Sequence, residues 1–180
     1  MKTTITLLAL TGILAAQETR REIVNAAPSP AEDAKANSDK VPDVYAIQGQ
    51  FDRILILRFK FNSDLLAGME KMAKQEKIRN AVILSAIGSV RGYHIHAVSN
   101  RDFPSKDIFV KNPTQPADVI SMNGYIMDGR VHAHMTLATP GKAFGGHLEP
   151  GTSVFTFVAV TLGVMRDGVD FSKIDDKTYR

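Results

Sequence analysis

Cysteine and tryptophan are both absent from this 180-residue chain. Without cysteine there is no disulfide framework, thiolate zinc site, iron–sulfur cluster or cysteine nucleophile, which leaves His, Asp and Glu as the strong metal ligands. An excess of one charge is lacking too. Lys and Arg number 22 against 19 Asp and Glu, a formal +3, too little to imply a nucleic-acid partner by itself. The N-terminal apolar run, Ile5 to Ala16, is too short to span a bilayer. It follows the basic start Met1-Lys2 and ends Leu14-Ala15-Ala16-Gln17, the order of a secretory signal peptide with a small-residue cleavage site. The expectation is a leader over residues 1–16 and a periplasmic or secreted mature protein. A core strand or helix at the N-terminus is the alternative.

Residues 17–50 lack hydrophobic periodicity and carry Pro28, Pro30 and Pro42 among Ala, Asn, Ser and Asp. Such a segment buries too little apolar surface to offset its ordering entropy, so it reads as a flexible polar linker. Residues 17–50 hold four basic and six acidic side chains, and the tail 167–180 holds three and four. The block 51–166 holds fourteen basic and nine acidic residues. One mildly basic domain between acidic flanks follows, with basic residues scattered singly as on a solvated surface.

Within 51–166, Arg53 to Phe59 is an apolar strand bounded by charges. Asn62-Ser63-Asp64 then offers helix-capping side chains, and Leu65, Leu66, Met69, Met72 and Ala73 recur at helical spacing, predicting an amphipathic helix over about 64–77. Ala81 to Ile87 reads as a strand buried on both faces and ended by Gly88-Ser89. Arg91 to Ser99 alternates, with Tyr93 and Ile95 on one face and His94 and His96 on the other. Residues 100–117 read as an excursion. Asp128-Gly129 between two strand-like segments is a strong hairpin signal, and Ser153 to Met165 is a long final strand. These elements predict an α+β domain: a mainly antiparallel sheet of six to seven strands with one main helix.

All five histidines stand in two clusters. In Val131-His132-Ala133-His134-Met135, alternation puts His132 and His134 on one strand face, about 7 Å apart at Cα and able to converge on one ion. A third, His147, follows the glycine-rich stretch Gly141 to Gly146, read as a loop folding back over its own strand. Three imidazoles suit zinc, copper, nickel or iron(II), and for zinc three protein ligands plus an open position is the catalytic arrangement. A polar strand face whose histidines hold nothing is the alternative. A two-residue hairpin places Tyr125 opposite His132 and Asn123 opposite His134, polar neighbours able to orient the rings. Glu149 is the nearest carboxylate in sequence, a candidate acid or base or plain surface. His94 and His96 have no evident third partner and read as hydrogen-bonded or surface histidines.

Several stretches, in order, resemble the PPC (plants and prokaryotes conserved) domain. They are Ile56-Leu57-Arg58-Phe59, the helix from Asp64, Ala86 to Arg91, Ile120 to Gly124, Asp128 to Leu137, and Phe144-Gly145-Gly146-His147-Leu148. The resemblance covers about two thirds of the chain. It implies an α+β fold, assembly as a homotrimer, and a metal-binding unit made of His132, His134 and His147, with zinc the expected divalent metal. Phe155 or Phe157 could serve a subunit contact. Many plant members carry an Arg-Gly-Arg-Pro AT-hook, which this sequence lacks.

The leading expectation is therefore an exported, trimeric metal-binding domain with room for a small-molecule ligand and no membrane span. A DNA-binding protein, as the family's naming has it, is the alternative. It requires the N-terminus to stay uncleaved in the cytoplasm, and minor-groove reading wants Arg and Lys on a mobile arm, whereas segment 17–50 is net acidic. A cupin-like metalloenzyme is the third reading, but Ala138 stands where that motif carries a glutamate.

Overall fold

The computed structural model describes residues 20–25 and 39–176. The expected leader, 1–16, lies outside the described residues. The strands are β1 (Arg20–Asn25), β2 (Phe51–Phe59), β3 (Ala81–Val98), β4 (Lys106–Asn112), β5 (Ala117–Met127), β6 (Arg130–Thr139), β7 (Lys142–Leu148) and β8 (Ser153–Met165). One helix, α1 (Leu65–Gln75), follows β2. Every pairing among these strands is antiparallel. The α+β class, with a single sheet and one helix among the described residues, is as the sequence predicts.

The helix forms where capping chemistry meets periodicity. Asp64 Oδ1 accepts from the Ala67 amide at 2.9 Å, and its other oxygen accepts from the Gly151 amide at 2.6 Å. Leu65, Met69 and Ala73 are buried along one face, joining Leu57, Phe59, Ile83, Leu137, Val158 and Leu162 in a continuous core.

Four parts of the sequence fold otherwise than expected. The run after Ala81 does not end at Gly88-Ser89 but continues to Val98 as one 18-residue strand. At Gly88 (φ +143°) a Cβ would lie 2.1 Å from the Phe157 carbonyl oxygen, so glycine here permits close passage of β8 rather than stopping β3. The excursion 100–117 contains β4, paired to β3. The expected linker contains β1, paired to the outer edge of β4. Ile23 is 64% exposed, so it adds little apolar burial to the backbone pairing of β1, and hydrophobic periodicity could not reveal the strand. The glycine-rich stretch before His147 is a strand, β7, and not a loop.

The path β3–β5–β6–β7 closes on itself, because β5 pairs with the first half of β3 and β7 with the second. That circuit positions the site. The tail folds back as well: Phe171 is 5% exposed, and the Val169 carbonyl accepts from Asn80 Nδ2 at 2.7 Å.

Candidate metal centre

Asp128 and Gly129, both at positive φ (51° and 81°), make a two-residue turn that fixes the β5–β6 register. Met127 faces Arg130, Tyr125 faces His132 and Asn123 faces His134, the pairing expected from the hairpin rule. On β6, Val131, Ala133, Met135 and Leu137 are buried, which turns His132 and His134 to the opposite face.

His147 arrives from β7. It lies directly opposite His134 on β6 and opposite His96 on β3. One row across the sheet therefore reads Asn123, His134, His147, His96. The glycines before His147 permit this crowding: a Cβ at Gly146 would stand 2.3 Å from the His96 carbonyl oxygen, and one at Gly145 would stand 2.1 Å from that of Met135. Their lack of side chains lets both neighbouring backbones approach β7.

His132, His134 and His147 each offer a ligand nitrogen, and the three lie within 4.8 Å of one another. The Nε2 atoms of His132 and His134 are 3.2 Å apart. Two nitrogens held 2.0–2.1 Å from a tetrahedral ion are themselves about 3.4 Å apart, so this pair is already near ligating distance. His147 meets His132 edge to face, with ring centroids 4.6 Å apart.

Two of these rings are held neutral, the form that binds metal. Burial, then the neighbouring His96, His132 and His134, lowers the His147 pKa to about 4. Burial, then His132 and His96, lowers that of His134. The residues present therefore fit a divalent ion in donor type and spacing, and burial favours the metal-binding neutral form of His134 and His147.

Around the trio, the structure places the other sequence candidates unequally. Tyr125 and Asn123 line a cavity of about 400 Å³ together with His132 and His134. Glu149 does not reach toward the trio alone; its Oε1 accepts from His96 Nδ1 at 2.6 Å. His94 is tied down elsewhere, its Nδ1 lying 2.8 Å from the Pro150 carbonyl oxygen. A larger hollow of about 760 Å³ lies by Arg53, Arg79 and Arg166, away from both ligand clusters of the described residues.

Two residues of the centre escape sequence reasoning. His96 stacks on His147, with centroids 4.5 Å apart. With His147 and Glu149 it forms a second group of potential ligands. Asp175, in the tail, accepts from His132 Nδ1 at 3.0 Å and from Arg130 at 2.9 Å. Burial raises its pKa, but the hydrogen bonds and charges of His132 and Arg130 outweigh that and leave it lowered. For His96 the only sequence signal was its His-x-His form. For Asp175 it was the recurrence of Val169, Phe171 and Ile174 in an otherwise polar tail.

Residues 46–166 match the profile of the Plants and Prokaryotes Conserved (PCC) domain. The chain belongs to the PCC family. Among solved structures, this PCC protein shares its fold with a metal-containing protein of Archaeoglobus fulgidus at TM-score 0.59 and 23% identity, over 75% of this chain and 95% of that one. It likewise resembles a plant- and prokaryote-conserved protein of Pyrococcus horikoshii, at TM-score 0.56 and 21% identity over 70% and 87% of the two chains. A bifunctional protein GlmU of Synechococcus sp. (strain JA-3-3Ab) is 25% identical over 111 residues, or 61% of this chain. The PCC protein spans only 17% of that relative's length. Membership of the PCC family displaces the cupin-like reading.

Proposed function

We propose that this PCC protein is an exported homotrimer in which His132, His134 and His147 hold one divalent metal ion, zinc above others, facing a cavity that admits a small-molecule ligand. The observation carrying this reading is the convergence of three ligand nitrogens within 4.8 Å from two adjacent strands, with His134 and His147 in one cross-strand pair. Zinc on three imidazoles supplies a Lewis acid with one open coordination position. The chain's own part is to fix the rings, keep them neutral and wall the cavity with Tyr125, Asn123 and Ile174.

Assembly is supported by the outer face of β2, β8 and β3. Ile54, Ile56, Ile87, Phe155 and Phe157 are all exposed there, a grouping of large apolar side chains that marks interaction surfaces. Phe155 and Phe157 are the residues singled out for a subunit contact. Export is supported by the order of charge, apolar run and small residues over 1–16. A DNA-binding role gains nothing from the centre, since Asp175 and Glu149 at its rim repel phosphate.

The test is metal analysis and zinc titration of protein purified without a histidine tag. Stoichiometric zinc in the wild type, lost in the triple His132→Ala, His134→Ala, His147→Ala variant, is the expected result. Equal zinc in that variant, or none in the wild type at neutral pH, would end this reading.

A further inference from the structure

We propose that Asp175 is a positioning residue of the metal centre, and that the tail segment carrying it, residues 169–176, docks on the sheet in concert with metal binding. This inference rests on the three-histidine reading and extends it beyond the family domain, whose match ends at residue 166.

The geometry starts at His132. Its Nδ1 is committed to Asp175 Oδ2 at 3.0 Å. A neutral imidazole that donates from Nδ1 presents its lone pair at Nε2, and Nε2 is the atom 3.2 Å from His134 Nε2. The carboxylate thus selects the tautomer and ring orientation that a metal at this centre requires, and raises the basicity of the ligand nitrogen. Arg130 donates to the same Asp175 oxygen at 2.9 Å, which gives that oxygen a second anchor.

Asp175 ends a short turn in which the Ile174 amide donates to the Phe171 carbonyl at 3.1 Å. It is carried to the site by a segment with two other attachments: the Val169 carbonyl on Asn80, and the buried Phe171, edge-on to Tyr125 with centroids 5.6 Å apart. Ile174, between Phe171 and Asp175, lines the cavity beside His132 and His134. The tail therefore supplies both a second-layer carboxylate and part of the cavity wall.

Coupling follows. Metal at Nε2 draws electron density from the ring, makes the Nδ1–H a stronger donor and tightens its bond to Asp175. Linkage is reciprocal, so a docked tail must strengthen metal binding by the factor by which metal strengthens docking. Loss of such outer carboxylates costs about 10–100-fold in metal affinity.

The experiment compares zinc affinity, by competition with a chromophoric chelator, in the wild type, Asp175→Ala and Asp175→Asn. Amide hydrogen exchange of residues 169–176 is followed with and without zinc. Asp175→Ala should bind zinc about 10–100-fold more weakly. Asp175→Asn should recover most of that loss, because one amide oxygen can accept from both His132 and Arg130. Zinc should slow exchange of the tail in the wild type and leave it unchanged in Asp175→Ala. Unaltered zinc affinity in Asp175→Ala, or a tail indifferent to zinc in a wild type that binds it, overturns this inference and leaves the three-histidine site standing. A wild type that binds no zinc brings down both.

Discussion

His96 lies face to face with His147 at a centroid distance of 4.5 Å, reaching it from the strand opposite the one that carries His134. Charge on His96 therefore disfavours a proton on His147. Replacing His96 by Phe keeps an aromatic face against His147 and removes the competing charge. The His147 pKa should then rise from its present value of about 4 toward the ordinary imidazole range. The rise should be partial, since burial is the larger cause. Imidazole NMR shifts across a pH titration read it directly, and an unmoved His147 would show that His96 exerts no field there.

The same depression links the centre to stability. His147 remains neutral in the folded chain down to about pH 4, whereas in the unfolded chain it takes a proton near 6.5. Between those values the unfolded state binds more protons, so stability of the metal-free protein falls as pH drops from 6.5 toward 4 and is insensitive to this group above. His134, lowered for similar reasons, adds in the same direction. Thermal melts of chelator-treated protein should show Tm decreasing over this window. Proton competition for a metal at these two ligands should likewise set in below the 6.5 that an unperturbed imidazole would give.

Gly146→Ala places a methyl where the His96 carbonyl oxygen stands 2.3 Å away. Because the obstacle is backbone, β7 must shift away from β3, at a cost of about 1–3 kcal/mol for overpacking. The shift moves His147 out of its row. The variant should unfold at lower denaturant and bind zinc more weakly, while Gly141→Ala, strained by its φ of +91° but with nothing within 4 Å of the added carbon, should lower the midpoint and leave zinc binding intact. Denaturant midpoints and zinc titration of both variants check this.

Asp64 caps α1 with one oxygen and holds the Gly151 amide with the other. Asp64→Ala loses the cap, about 1 kcal/mol on its own, and leaves a second amide without its acceptor. A total near 2 kcal/mol is expected, with Asp64→Asn recovering part. Urea unfolding gives the number. A loss under 0.5 kcal/mol, within the range of about ±0.5 kcal/mol for an ordinary surface substitution, would show the cap to be redundant.

On the outer face, Ile56 is 68% exposed and Ile87 59%. The double variant Ile56→Asp, Ile87→Asp puts charge into the apolar surface without touching the core side of β2 and β3. Sedimentation should give a trimer mass for the wild type and a one-subunit mass for the variant, with unchanged circular dichroism. A wild type sedimenting as one subunit at micromolar concentration would remove the assembly proposal.

Local chemistry was legible and long-range pairing was not. The helix could be read because its cap and its 3.6-residue spacing both lie within 11 residues. The register of His132 and His134 could be read because a two-residue turn dictates which strand residues face each other. His96 and Glu149 stand 53 residues apart in sequence, and His132 and Asp175 43 apart. No tight turn connects either pair, so nothing local specifies that they meet. Strand β7 was obscured by Gly145 and Gly146, whose low strand propensity argues for a loop, although their real role is to admit neighbouring backbones. The flanking Phe144 and Leu148 were the available clue.

Strand β2 has β8 as its sole partner among the described strands, which sets an order on how the molecule can be made. Leu57 and Phe59 leave the ribosome roughly a hundred residues before their partners Val160 and Val158, a separation that makes the contact strongly non-local. Pairings of such long sequence separation form slowly. Until Ser153–Met165 has emerged, the nascent chain carries an open strand edge and an uncovered apolar helix face, features that aggregate readily and call for chaperones. Folding of this domain therefore waits on the emergence of β8, and a ribosome stalled just short of it would hold a chaperone client and not a half-built domain.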